Sequence, residues 1–205
     1  KKSFFEKFLG TIQVIIKDPL LDRIDLDHVL NDIKEKVPLK FMQYIDYIII
    51  GQFDELNKKK MNAAYMDGAI YVTNDQSDGD DMIDDIIHEV AHAVEAHNFL
   101  ELYSDGFLEI EFLGKRERLY HLLETENINV DYSAFKDPEY SVNLDNFLYY
   151  EVGYPTLASI GVNLFYSPYA ITSLREYFAN GFEAYYHHKD YDRLAAVSPT
   201  LFDKL

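Results

Sequence analysis

Apolar side chains recur at three- and four-residue spacings in three stretches of the chain, and this period predicts helices that bury one face. Besides Phe107–Glu124, which is predicted to be mostly helical, the predicted helices are Asp25–Val37, a segment from the acidic cluster near Asp80 to about Leu102, and Ser173–His187. Pro38 ends the first helix, and Thr172 or Ser173 can cap the last one. Two short helices are also predicted, at Phe4–Phe8 and after Ser198-Pro199 in the tail Tyr191–Leu205.

Two β-rich stretches, Thr11–Lys17 and Tyr44–Gly51, predict strands of a small sheet. A third stretch, Asn62–Asn74, alternates apolar and polar residues around Asp67-Gly68, a dipeptide favoured in type I′ hairpin turns. Its second arm, Ala69–Thr73, leads into the helix that follows the acidic cluster. Two interpretations of this arm stay open: a sheet edge that pairs with an extended peptide, or an ordinary hairpin arm.

The region from Glu124 to Tyr169 has no clear period and is rich in Asn, Asp and Tyr, so it predicts an irregular insertion. The chain shows neither an internal repeat nor a linker, which indicates a single domain. We predict an α+β fold in which a small sheet with its central helix is joined to a mainly helical C-terminal lobe. Its parts are an N-terminal lobe at about 1–103, an insertion at about 107–166 and a C-terminal lobe at about 167–205.

Composition narrows the classes of function. The 205 residues carry a net charge of −17 at pH 7, which argues against nucleic acid or an anionic membrane surface as a partner. The chain has no cysteine, so any metal site must be built from histidine and carboxylate side chains. No apolar run is long enough to span a bilayer. Lys1–Phe4 does not have the character of a signal peptide, although a cleaved signal would leave no trace.

The helix after the acidic cluster contains the motif His-Glu-x-x-His, at His88, Glu89 and His92. Residues four apart lie on the same helix face, so both imidazoles project together, as two ligands of one zinc ion require. Glu89 stands beside them, where a carboxylate can take a proton from the water that zinc activates. The alternative is a surface helix that carries two histidines by chance, and the amphipathic setting argues against it. The motif predicts a zinc hydrolase.

A catalytic zinc site needs a third protein ligand. Asn98 occupies the position, six residues after His92, where metzincins have a third histidine, and His97 lies roughly 140° around the helix from His92. A carboxylate from a later helix is the remaining source. The candidates are Glu124, Glu126, Glu151, Glu176 and Glu183, of which the last is expected to be solvated.

Tyr169 precedes Glu176 by seven residues, and Tyr177-Phe178-Ala179 and Phe182 follow it. This pattern resembles the third-ligand helix of the anthrax lethal factor-like zinc metallopeptidases, gluzincins that include the bacterial Pro-Pro endopeptidases. In that family the tyrosine and the glutamate ligand are followed by two aromatic residues, alanine, glutamate, a small residue and phenylalanine. The resemblance extends to the stretch His88–Glu95, and the chain is more weakly similar to phage-encoded peptidases.

The resemblance implies a zincin-like fold with zinc bound by His88, His92 and Glu176. Glu89 would be the general base, and Tyr169 would stabilise the oxyanion or help the leaving amine depart. One departure from the family pattern is Asn180, which replaces a glutamate expected to orient a histidine ligand. Another is the longer gap before Glu176, which puts the substrate preference in doubt.

The leading hypothesis is a zinc-dependent endopeptidase acting on peptide or protein substrates, with a preference for basic ones. A non-catalytic binding or structural module that keeps the metal for stability, for example in a phage particle, is the alternative. A zinc hydrolase for non-peptide substrates is a third class. Glu89 and Tyr169 argue for catalysis, because a structural metal site needs neither residue. The predicted sheet edge at Ala69–Thr73 favours a peptide as the substrate. The compartment stays open, with secretion or phage association as options.

Overall fold

The computed structural model describes residues 7–205 and shows a mixed α/β protein. Over these residues it contains one five-stranded sheet and twelve α-helices. The chain divides into two compact units, Lys1–His97 and Asn98–Leu205. The predicted combination of a small sheet with a mainly helical C-terminal part is confirmed at this level.

The sheet belongs to the first unit. Its strands are β1 (Lys7–Leu9), β2 (Ile12–Ile16), β3 (Tyr47–Gly51), β4 (Ala63–Met66) and β5 (Ala69–Thr73). Their order is β1-β2-β3-β5-β4, in which β2, β3 and β5 are parallel and the two outer strands are antiparallel to their neighbours. Parallel strands need crossover connections, and helices supply the one between β2 and β3.

Four helices complete the first unit: α1 (Leu26–Lys36), α2 (Leu39–Met42), α3 (Asp54–Lys59) and α4 (Gly79–His97). Asp25 caps α1 by accepting hydrogen bonds from the backbone N–H groups of Asp27 and His28. Helix α4 packs against α1, α2, β4 and β5 and buries an apolar face that includes Ile86 and Val90. The helix that carries the His-Glu-x-x-His motif is therefore anchored on the sheet.

The hairpin prediction is confirmed. Asp67 and Gly68 both have positive φ angles, of 50° and 82°, as a type I′ turn requires. The expectation of a sheet edge at Ala69–Thr73 is wrong, because β5 pairs with β3 on one side and with β4 on the other. The ordinary hairpin arm is the correct interpretation of β5. Among the described residues the outer strand at this side of the sheet is β4.

Other boundaries differ from the predictions in the first unit. The strand predicted from Tyr44 begins at Tyr47, and the helix predicted to reach about Leu102 ends at His97. The predicted helix Phe4–Phe8 falls partly outside the described residues, and its last two positions belong to β1. Positions 7 and 8 are held in the sheet by antiparallel pairing with β2, which a local helix period does not reveal.

All of residues 98–205 are described, and the regular elements there are helical. The α-helices are α5 (Phe99–Tyr103), α6 (Phe107–Thr125), α7 (Tyr132–Phe135), α8 (Val142–Asn146), α9 (Tyr154–Ile160), α10 (Leu174–Phe182), α11 (Tyr191–Val197) and α12 (Pro199–Lys204). Two π-helical segments, Phe147–Val152 and Glu183–His187, continue α8 and α10, and a 3₁₀ turn spans Pro168–Ile171.

The predictions for α6 and for the helix Ser173–His187 are confirmed, and Ser173 caps α10 by accepting the N–H of Glu176. The prediction of an irregular stretch after Glu124 is wrong, since this stretch forms the short helices α7, α8 and α9. The tail contains two helices, α11 and α12, and not one. Such short helices escape a period analysis because each spans only one or two turns.

Two buried cations on α6 hold the second unit together. The Lys115 ammonium donates hydrogen bonds to the carbonyls of Leu164 and Val197 and to Ser198 Oγ. The Arg116 guanidinium donates hydrogen bonds to the backbone carbonyls of Ile171, at 2.9 Å, and Thr172, at 2.8 Å. It also donates to the backbone carbonyl of Asp137. These bonds fix the segment just before α10. Buried charges are tolerated only when acceptors surround them in this way.

Across residues 7–205, we find no helix with both the length and the apolar character needed to cross a membrane.

Candidate metal centre

His88 and His92 lie one turn apart on α4 and converge. Their Nε2 atoms are 3.1 Å apart, and the ring planes stand at 80° with centroids 4.8 Å apart. The ligand-type atoms of His88, Glu89 and His92 all lie within 4.8 Å of one another. The three residues of the motif are thus brought together as predicted.

The donor set and its spacing suit zinc. Two imidazole nitrogens bound to one tetrahedral zinc at 2.0–2.1 Å would be about 3.3 Å apart, close to the distance between the two Nε2 atoms. Glu89 and His92 are buried, at 7% and 9% exposed. Because burial removes competing water, it strengthens the attraction of these donors for a cation.

Glu89 is held at the outer edge of β4. Its Oε2 accepts a 2.6 Å hydrogen bond from the backbone N–H of Tyr65. In this hairpin the Thr73 N–H donates a hydrogen bond to the carbonyl of Asn62, so the backbone polar groups of Asn62 are directed towards the strand that contains Thr73. Hydrogen-bonded and non-bonded positions alternate along antiparallel strands, so Ala63 and Tyr65 direct their N–H and C=O groups away from β5.

A cavity of about 660 Å³ adjoins this edge within the first unit. Residues of β4, of α3 and of the strands beside them line it, among them Met66, Tyr71 and Lys17. The Phe53 ring contacts Tyr71 edge-on at 5.3 Å, and the Lys17 ammonium lies 5.0 Å from the centre of the Phe53 ring. The volume falls in the range of pockets that receive small ligands or side chains.

Two further acidic residues lie on α4 beside the motif. Glu95, one turn after His92, is buried, at only 2% exposed. Asp85, one turn before His88, accepts a 2.8 Å hydrogen bond from Gln76 Nε2. Burial raises the pKa of Asp85 to about 6, and the Gln76 amide opposes that shift. Sequence reasoning missed Asp85, although its three-residue spacing from His88 was a usable signal.

The predicted residues Tyr169 and Glu176 belong to the second unit. Glu176 lies half-buried in the first turn of α10, and Tyr169 lies in the 3₁₀ turn just before it. The Tyr169 carbonyl accepts hydrogen bonds from the backbone and the hydroxyl of Thr172. Burial and then the Glu176 carboxylate raise the pKa of the Tyr169 phenol, so these two side chains lie close together.

The other carboxylates proposed as third ligand have different settings. Glu124, Glu126 and Glu151 are exposed, and Glu124 accepts a 2.7 Å hydrogen bond from the Tyr120 hydroxyl. Glu183 is buried, which corrects the expectation that it is solvated, and its Oε2 lies 3.4 Å from Asn180 Nδ2. The Asn180 Oδ1 atom is buried and finds no hydrogen-bond donor within the described part of the chain.

Two tyrosines of the predicted insertion, Tyr140 and Tyr154, lie near enough to Glu176 to be affected by its charge, which sequence reasoning did not foresee. The Tyr140 hydroxyl donates a 2.6 Å hydrogen bond to Asp145 Oδ2. Burial is the main cause that raises the pKa values of Tyr140 and Tyr154 to about 12, and the charges of Asp145 and Glu176 add to it. The tyrosine density of this region was visible in the sequence, but the positions of its rings depend on the path of α8 and α9.

Comparisons of the chain with models of protein families, with curated proteins and with solved structures found no match. The resemblance to the lethal factor-like metallopeptidases therefore stays a prediction that depends on the quoted residues.

Proposed function

We propose that this protein is a zinc-dependent endopeptidase with a zincin-like fold, related to the lethal factor-like metallopeptidases. One observation carries the proposal: His88 and His92 converge on one face of α4, with the Glu89 carboxylate beside them at the edge of β4. Two imidazoles and an adjacent carboxylate are the set that zinc hydrolases use. A purely structural metal site has no need of Glu89.

In this proposal zinc is bound by His88, His92 and Glu176. When bound, zinc supplies a Lewis acid that lowers the pKa of a coordinated water towards ~7 and polarises a carbonyl group. The assignment of Glu176 is supported by its half-buried carboxylate at the start of α10 and by the family resemblance. The exposed alternatives Glu124, Glu126 and Glu151 have no such setting.

Glu89 is the general base that takes a proton from the attacking water and delivers it to the leaving amine. The hydrogen bond from the Tyr65 N–H holds the carboxylate in position. Tyr169 donates a hydrogen bond to the oxyanion or to the leaving group. A tyrosine phenol, with an ordinary pKa near ~10, is protonated and therefore a donor at neutral pH.

The substrate is an extended peptide that pairs with β4. The outward C=O groups of Ala63 and Tyr65 and the N–H of Ala63 offer hydrogen bonds to one more strand, while the Tyr65 N–H is donated to Glu89. Side chains of such a peptide can enter the cavity beside β4. The strand proposed to pair with the peptide is therefore β4, and not β5 as the sequence suggested.

Cleavage of a diverse peptide library by the purified full chain tests the proposal. We expect cleavage that stops when 1,10-phenanthroline removes the metal and returns when zinc is added back. Cleavage that is indifferent to the chelator, or no cleavage of any peptide by the zinc-loaded protein, would overturn it. Trace contaminating proteases are controlled by a Glu89→Gln preparation purified in parallel.

A further inference from the structure

A group of tyrosine rings lies beside Glu176 and takes no part in the proposed chemistry. Helix α8 continues into the π-helical segment Phe147–Val152, and Gly153, with φ 85°, turns the chain into α9. This path brings the rings of Tyr149 and Tyr154 together edge-on, with centroids 5.2 Å apart. We call Tyr140, Asp145, Tyr149 and Tyr154 the tyrosine cluster.

Two rings of the tyrosine cluster are largely exposed, whereas Tyr154 and Asp145 are partly buried. Tyr140 is 51% exposed and Tyr149 is 55% exposed, so both rings present large surfaces to water. The Tyr140 hydroxyl is fixed by its hydrogen bond to Asp145, which holds the carboxylate among the rings. Exposed aromatic rings that are held in place by each other and by a carboxylate are typical of binding surfaces.

The sequence that carries the cluster is predominantly acidic. Between Lys136 and Arg175 the sequence has four carboxylates, Asp137, Glu139, Asp145 and Glu151, and no lysine, arginine or histidine. The Lys136 ammonium is directed to α7, where it lies 4.3 Å from the centre of the Tyr132 ring. Glu176 adds its charge to the same surroundings, as its effect on Tyr140 and Tyr154 indicates.

These features select one class of ligand. The faces of tyrosine rings attract cations, and a neighbouring carboxylate adds a charge-assisted hydrogen bond. An anionic group would be repelled by Asp145 and Glu176. A neutral apolar group would cover the rings but strip water from the Asp145 carboxylate without replacing its hydrogen bonds. A guanidinium or ammonium group satisfies both the rings and the carboxylate.

We propose that the tyrosine cluster is a substrate subsite that binds the side chain of an arginine or lysine residue in the peptide to be cleaved. The inference rests on the proposed function, and it assigns a role to the predicted insertion: substrate preference. The bound arginine or lysine side chain then lies near Tyr169 and Glu176, to which the proposed function assigns roles in catalysis and zinc binding.

Binding of two small probes tests the inference without any need for catalysis. The probes are N-acetyl-arginine amide and N-acetyl-citrulline amide, which have nearly the same shape but differ in charge. In ligand-observed NMR titrations of the full chain, the arginine probe should bind at least about five-fold more tightly than the citrulline probe. Asp145→Asn and Tyr149→Leu should each remove most of that difference.

Two variants serve as matched controls. Asp203→Asn removes an exposed carboxylate of the same unit, and Tyr191→Leu removes an exposed ring on α11 that, among the described residues, has no ring contact with the cluster. Both should keep the preference for the arginine probe. Equal binding of the two probes by the wild type, or loss of the preference in the controls as well as in the cluster variants, would overturn the subsite.

The outcome is separable from that of the proposed function. If library peptides are cleaved but the two probes bind alike, the subsite is wrong and the peptidase stands. If the arginine probe is preferred and Asp145→Asn abolishes the preference, the subsite is supported even when no library peptide is cleaved. With a cleaved arginine peptide, Asp145→Asn should raise KM about five-fold and leave kcat nearly unchanged.

Discussion

At the scale of single residues, Glu89 illustrates what sequence and structure each contribute. The motif alone predicted that Glu89 stands beside two histidines on one helix face. It did not predict the hydrogen bond from Tyr65, because that contact depends on packing between α4 and β4. The same holds for Asp145 and the tyrosine cluster, whose residues are separated in sequence from Glu176 and meet it only in the folded unit.

Asn180 provides a residue-scale prediction about zinc binding. Its Oδ1 atom is buried. The family resemblance implies that this position orients a histidine ligand, and in that role Asn180→Leu should weaken zinc affinity roughly ten-fold. Asn180→Glu keeps an acceptor and should retain the affinity. Because Glu183 lies 3.4 Å from Asn180, the glutamate variant should also be less stable, and affinities must be compared with all variants folded. Equal affinity in all three proteins would contradict an orienting role.

Lys115 provides a prediction about pH. Burial lowers its pKa to about 8 in the folded protein, whereas an unfolded lysine titrates near ~10.4. Between these values the unfolded chain binds more protons, so Lys115 makes the free energy of unfolding rise with pH. Lys115→Met should remove this rise and cost about 1–3 kcal/mol, because buried acceptors lose their donor.

Urea unfolding of both proteins at pH 7.5, 8.5 and 9.5 measures this effect. The stability advantage of the wild type over Lys115→Met should widen as the pH rises through the window. Parallel pH profiles for the two proteins would show that the lysine pKa is the same in the folded and unfolded states.

At the scale of elements, the close packing of α10 on α12 depends on one glycine. A Cβ atom added at Gly181 would overlap the side chain of Leu201. Gly181→Ala should therefore destabilise the protein by about 1–3 kcal/mol, as overpacking of a core does. Gly114→Ala is the matched control, because a Cβ atom there meets no other atom within 4 Å.

Thermal and urea unfolding of these two variants checks the prediction. Gly114→Ala, within α6, should leave stability unchanged or raise it by up to about 1 kcal/mol, since alanine favours a helix more than glycine does. If Gly181→Ala were as stable as Gly114→Ala, the contact between α10 and α12 would be looser than described.

Elements with a strong local period were predictable, and those defined by distant partners were not. The periods of α1 and α10 and the turn at Asp67-Gly68 gave those elements close to their observed bounds. The order of strands in a sheet depends on pairings between residues far apart in sequence, so the interior position of β5 could not be read locally. The π-helical segments carry no sequence signal that we recognise.

At the scale of the whole molecule, the net charge of −17 bears on the choice of substrate. The acidic loop before α4, which contains Asp75 and Asp78, adds negative potential that attracts basic peptides. In the structure two of its carboxylates make local interactions: Asp75 forms an ion pair with Arg23 at 3.5 Å, and Asp78 accepts a hydrogen bond from the backbone N–H of Asp81. The remaining attraction is a long-range field, which salt screens.

Salt dependence separates that field from the tyrosine cluster. We expect basic peptides to be cleaved faster than matched acidic peptides at 0.1 M salt, where the Debye length is ~10 Å. At 1 M salt, with a Debye length of ~3 Å, the part of the preference caused by the long-range field should disappear. Values of kcat/KM at the two salt concentrations measure it. A preference that salt does not reduce would exclude the field as its cause.

The central claim is that His88, His92 and Glu176 bind zinc while Glu89 handles the proton. Zinc content and peptide turnover, measured on the same preparations of wild type, Glu89→Gln and His92→Ala, test it most directly. The account predicts about one zinc per chain with turnover in the wild type, undiminished zinc without turnover in Glu89→Gln, and loss of both in His92→Ala. Wild-type turnover by Glu89→Gln, or a wild type that holds no zinc after metal-replete purification, would contradict it.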